Sequence, residues 1–160
     1  MTTYYITVCA HKHREHFQRS EIAELMVATF FQCRDAGEFE LHEYVVMPDH
    51  IHVLLSLRER QSLDRAVQAI KERFARVLRE QGSFLKDVWQ PQYHFRRVSN
   101  SEELREGARY IRQNPVRKGL VAAAEQYSYS SAGKRAENAG LDPVSTEARS
   151  ANAGGAGSAC

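Results

Sequence analysis

The stretch "EYVVMPDHIHVLLSL", residues 43 to 57, constrains the fold most. Two apolar runs of strand length meet at Pro48-Asp49, a pair that breaks a ladder and favours a turn. The two runs therefore read as consecutive β-strands, "FELHEYVVMP" and "HIHVLLSL". Side chains two apart on a strand share a face, so His50 and His52 project side by side. They occupy positions where valines would have served burial better.

The remaining pattern supplies the other elements. "TYYITVCA" is β-branched and aromatic, which suits a first strand. Ser20 is placed to cap a helix carrying Ile22, Leu25, Met26, Phe30 and Cys33, ending near Gly37. Ser62 caps a second, with Leu63, Ala66, Val67, Ile70, Phe74, Val77 and Leu78 on one face. "DVWQPQYHFRRVS" reads as a fourth strand, interrupted or opened by Pro91. A third helix is expected from an N-cap at Ser101 to Asn114, with Pro115 ending it. On that reading Asn114 closes the helix and its amide oxygen points outward.

The predicted order is strand, helix, strand, strand, helix, strand, helix. This is an α+β class, a ferredoxin-like βαββαβ antiparallel sheet with an additional C-terminal helix. Residues 1–132 form one domain on this reading. Residues 133–160 are small and polar and are expected to be a disordered tail. No apolar run approaches the roughly eighteen residues of a membrane span, and no Cys-x-x-Cys pair suggests structural zinc. A cytoplasmic, nucleoid-associated protein is the expectation.

Net charge is only +2, but it is unevenly spread. Between Pro91 and Leu120 seven basic residues stand against three acids, giving that segment +4 and the rest of the chain −2. Such a concentration suits a polyanion, although Glu/Arg pairs on a solvated helix would look the same.

Adjacent imidazoles on a strand face can share a divalent metal. His-x-His alone is weak, since two hydrogen-bonded surface histidines also produce it. Tyr110 and Asn114, four apart, share one face of the third helix. For an arbitrary helix the ordinary reading is a core aromatic and a C-cap.

In combination these stretches resemble a known family. "YVVMPDHIHVLLSL", "VWQPQYHFRRV", "YIRQNPVRKGLV" and "YSYSSA" occur in the order and spacing of the REP-associated tyrosine transposases, relatives of the HUH single-strand transposases. The resemblance spans roughly residues 3 to 132. It implies that His50 and His52 are the HUH metal pair, Tyr110 the nucleophile and Asn114 the remaining metal ligand. It implies Mg²⁺ or Mn²⁺ as cofactor and single-stranded hairpin DNA of repetitive extragenic palindromes as substrate. Cleavage would leave a 5′-phosphotyrosine and a free 3′-OH. Arg96, Arg97, Arg109, Arg112, Arg117 and Lys118 would contact the DNA. His94, in the loosely matched "YHFRRV", receives no catalytic role. The active species would be a monomer or a homodimer.

Two other classes compete. A non-catalytic nucleic-acid-binding module on the same scaffold would leave the histidines, Tyr110 and Asn114 unrelated in space. A metal-dependent hydrolase using water would leave Tyr110 without a task.

Overall fold

A computed structural model describes residues 1–133 of the chain. The expected tail lies outside the described residues but for Gly133. The elements are β1 (Thr2–Cys9), α1 (Ser20–Asp35), β2 (Glu40–Val46), β3 (His50–Leu57), α2 (Leu63–Glu80), β4 (His94–Val98) and α3 (Ser101–Arg117). The four strands form one sheet in the order β2-β3-β1-β4. Every neighbouring pair is antiparallel. This is the ferredoxin-like arrangement expected from the element order, with α3 added. No helix among the described residues is long and apolar enough to cross a membrane.

Period-2 alternation divides the sheet between two cores. Ile6 and Val8 of β1, Tyr44 and Val46 of β2, and Ile51, Val53, Leu55 and Leu57 of β3 pack against α1 and α2. The opposite face places Val45, Met47, Leu54 and Val98 against Ile111 of α3. All eight residues of β3 are buried because the strand is central and covered on both sides. That is why it reads as almost unbroken apolar sequence, and why its two histidines stand out.

The helix ends show where local signals prevailed and where they did not. Ser62 caps α2 as expected, its hydroxyl accepting from the Arg65 N–H at 3.2 Å. Ser20 does not cap α1. The extended residue is Arg19, whose carbonyl accepts from the Ile22 and Ala23 N–H groups, so Ser20 is already helical. Asn100, not Ser101, caps α3: its Oδ1 accepts from the N–H groups of Glu102 and Glu103 at 3.0 and 2.9 Å. Glu103 reaches back to the Ser99 N–H at 2.8 Å. One amide oxygen thus satisfies two of the orphan donors that every helix start presents.

Pro115 does not end α3, which continues to Arg117. Proline here forfeits one hydrogen bond in the last turn, and its ring is buried. The helix stops instead at Gly119, at φ 72°, where the Leu120 N–H bonds back to the Pro115 carbonyl at 2.9 Å. Asn114 is consequently inside the helix and only 2% exposed, not a terminal residue facing outward. The fourth strand is shorter than its sequence suggested: Trp89 makes only an isolated bridge to Ala10, and pairing with β1 starts at His94.

Candidate functional site

His50 and His52 lie on the face of β3 that α3 covers, in register with Cys9 and Thr7 of β1. Their Nε2 atoms are 3.1 Å apart. Each ring is held through its other nitrogen. His50 Nδ1 is 2.6 Å from Asp49 Oδ1. His52 Nδ1 is 2.8 Å from the Thr7 hydroxyl and 2.9 Å from that of Tyr5. Burial, reinforced by His50 and then Lys118, pushes the His52 imidazole down to a pKa of about 3. The ring is therefore neutral at physiological pH, the form in which imidazole binds metals. Hydroxyls both donate and accept, so His52 can carry its proton on either nitrogen.

α3 brings Tyr110 against this pair. Its ring centroid is 5.7 Å from that of His52 and 6.0 Å from that of Tyr5, both edge-on. Gly107, one turn earlier, is buried and faces the Tyr5 ring and Leu54 across the same interface. Asn114 comes one turn after Tyr110 and Lys118 one turn after that. Asn114 is therefore on the same helix face as Tyr110, the residue whose ring meets His52 edge-on. Its Oδ1 is buried and has no hydrogen-bond partner. A buried acceptor without a partner is uncommon and asks for an explanation.

Two tyrosines thus adjoin the histidines, and their surroundings separate them. Tyr5 is bonded to His52, and burial above all, then the neighbouring Tyr110, raises its pKa far beyond the usual phenol value. Both tyrosines line an open cleft of about 790 Å³ between α3 and the β1–β4 side of the sheet, shared with His94, Arg96, Glu106, Arg109, Gln113 and Arg117. The Arg117 guanidinium lies 4.7 Å from the centre of the Tyr110 ring.

The donor set can be tested for a divalent ion. Among the described residues no group of three His, Cys, Asp or Glu side chains converges as a metal site. An ion would therefore use the two imidazoles and a neutral third donor. Two nitrogens 3.1 Å apart match the roughly 3 Å between adjacent ligands of an octahedral ion with bonds near 2.1 Å. The unpartnered Asn114 oxygen supplies the right chemistry for the third. The residues fit such an ion.

The arginines expected to contact DNA do not form one surface. Arg96 pairs opposite Tyr5 and faces the cleft, 5.9 Å from the Tyr5 ring centre. Arg97 pairs opposite Tyr4 and points to the other face of the sheet. Arg109 and Arg117 line the cleft, while Lys118 is exposed just beyond the helix. Arg112 is committed elsewhere, to the carboxylate of Glu43, which is itself only 5% exposed. Tyr5, Thr7, Asp49 and Gln113 adjoin the candidate site and were not singled out in the sequence, while His94, given no catalytic role there, lines the cleft. Asp49 alone offered a local signal, standing next to His50. The others depend on strand pairing and helix placement across the chain.

The comparisons with known proteins bear on the family and the fold. A family model described as IS200-like transposase matches residues 1–114, a range that contains both histidines, Tyr110 and Asn114. A REP-associated tyrosine transposase of Escherichia coli (strain K12) is 27% identical over 129 residues, spanning 80% of this chain and 74% of that one. A Haemophilus influenzae protein named for the same activity is 26% identical over 138 residues, spanning 80% and 78%. A solved REP-associated tyrosine transposase bound to a REP hairpin superposes with a TM-score of 0.65 at 24% identity, over 97% of this chain and 92% of that one. The last likeness carries the fold. The match over residues 1–114 carries the family, and this chain belongs to the IS200-like transposases, enzymes that cut and join DNA.

Proposed function

We propose that this chain cleaves and rejoins single-stranded hairpin DNA through a covalent bond to Tyr110, with a divalent metal held by His50, His52 and Asn114. The observation that carries the reading is the edge-on contact of Tyr110 with His52 at the mouth of an arginine-lined cleft. Hairpin DNA enters by analogy with the solved relative bound to a REP hairpin. The domain responsible is residues 1–132.

Mg²⁺ or Mn²⁺ at the two imidazoles and the amide oxygen would polarise the scissile phosphate as a Lewis acid. The ligand set is neutral, so it leaves the ion's charge undiminished. The Tyr110 hydroxyl attacks phosphorus. A tyrosyl O–P bond forms, the P–O3′ bond breaks, the phenolic proton is released and the departing 3′ oxygen takes one up. The phosphodiester energy remains in the tyrosyl ester, so a 3′-OH can reverse the step and join strands without a nucleotide cofactor. Arg96, Arg109 and Arg117 hold phosphates along the cleft, and Tyr5 stays protonated and orients His52.

The contact between His52 and Tyr110 disfavours a pure binding module, which has no use for it. The water-using hydrolase is separated by one variant. Tyr110→Phe removes the nucleophile and leaves the imidazoles and arginines in place. End-labelled single-stranded hairpin DNA with Mn²⁺, run on a denaturing gel, should show a protease-sensitive shifted band with wild type. The variant should lose band and cleavage together while retaining hairpin binding. Cleavage by Tyr110→Phe at the wild-type rate would overturn the tyrosine mechanism.

A further inference from the structure

Asp49 closes the turn between β2 and β3, and its carboxylate is engaged on two sides. Oδ1 lies 2.6 Å from His50 Nδ1, and Oδ2 lies 3.5 Å from His13 Nδ1. The backbone joins the same two segments. The Ala10 N–H donates to the Asp49 carbonyl at 2.8 Å, and the Phe17 N–H donates to the Pro48 carbonyl at 3.0 Å.

Between those two anchors the chain adopts a left-handed backbone at consecutive non-glycine residues, Lys12 at φ 53° and His13 at φ 52°. Residues with a Cβ avoid that region, and two in succession persist only when the surroundings demand them. The strained turn carries His13, whose Nδ1 lies 3.5 Å from Asp49 Oδ2.

We propose that Asp49 is a positioning residue for His50, and that the loop from His11 to Gln18 holds Asp49 in place through His13. The inference rests on the reading of His50 as a metal ligand. A carboxylate on Nδ1 keeps the imidazole proton on that nitrogen and leaves Nε2 as a lone pair. That lone pair is directed at the point it shares with His52 Nε2, 3.1 Å away. The two ligands are thus oriented by unlike partners. His50 is locked in one tautomer by an anion, which also strengthens it as a donor. His52 rests on two hydroxyls that allow either tautomer and can adapt when an ion arrives.

The test uses the full chain without DNA. Isothermal titration with MnCl₂ compares wild type with Asp49→Asn, Asp49→Ala, His13→Ala and His50→Ala. Nitrogen NMR of the histidine rings reports the His50 tautomer in the metal-free protein. Asp49→Ala should weaken Mn²⁺ binding by about 10- to 100-fold and release His50 into a mixture of tautomers. Asp49→Asn, isosteric and neutral, should fall between wild type and Asp49→Ala, and His13→Ala should lose a few-fold. Should Asp49→Ala fail to fold, Asp49→Asn carries the comparison. Wild-type Mn²⁺ affinity and tautomer in Asp49→Asn, with affinity lost in His50→Ala, would overturn the role of Asp49 alone. Wild-type affinity in His50→Ala would instead overturn the reading of His50 as a ligand, and this inference with it.

Discussion

The Arg117 guanidinium stacks 4.7 Å from the centre of the Tyr110 ring, joining two residues seven apart on one face of α3. It also lines the cleft, so one cation both braces the ring and offers charge to a phosphate. Arg117→Ala should slow formation of the Tyr110–DNA adduct by about tenfold in single-turnover gels, equivalent to roughly 1.4 kcal/mol of barrier. Arg117→Lys should recover only part, because an ammonium cannot stack as a guanidinium does. Full recovery by lysine would reduce Arg117 to a point charge.

Arg112 and Glu43 make a different kind of pair. Glu43 is buried, accepts from Arg112 and the Ser131 hydroxyl, and so ties α3 and the segment after it to β2. Arg112→Ala leaves that carboxylate short of its cation. Chemical denaturation should show a loss of about 1–3 kcal/mol, the usual cost of an under-satisfied buried polar group. Unchanged stability with weakened hairpin binding would return Arg112 to the DNA-contacting set.

Salt dependence should divide the arginines by sheet face. Hairpin affinity should fall as ionic strength rises, with a log–log slope set by the number of phosphates neutralised. Arg96→Ala should reduce that slope by about one, since Arg96 faces the cleft beside Tyr5. Arg97→Ala should change it little, because Arg97 shares the opposite face with Tyr4. Fluorescence anisotropy of a labelled hairpin across a salt series measures both. Equal slopes for the two variants would mean that the DNA wraps the β4 edge.

The His52 imidazole gives stability a pH dependence. Its folded pKa is depressed to about 3 from 6.5, chiefly by burial. Below pH 6.5 the unfolded chain takes up a proton that the folded chain refuses until about pH 3. The stabilising contribution is thus complete above pH 6.5 and is lost as pH falls through that window. Melting temperatures in EDTA should decline from pH 6.5 downward in wild type and less steeply in His52→Gln. Parallel declines would assign the effect to other groups.

Much of the fold, and the shared faces on which the proposed site is built, could be read directly from the chain. Alternation in residues 44–57 marks two strands and sets His50 and His52 on one face, because the strand period is two wherever the strand is placed. A helical turn likewise puts Tyr110 and Asn114 together before any packing is known. Element order then leaves few topologies. What tertiary structure alone decided is the company those residues keep. Insertion of β1 between β3 and β4 brings the Tyr5 and Thr7 hydroxyls to His52, a register that local periodicity does not encode. The same register turns Arg96 toward the cleft and Arg97 away. Packing of α3 on the sheet buried Pro115, let the helix pass through it, and enclosed Asn114 where a terminal residue was expected. A burial gain across the sheet outweighed a local preference worth one hydrogen bond, and no window of sequence around Pro115 contains that comparison.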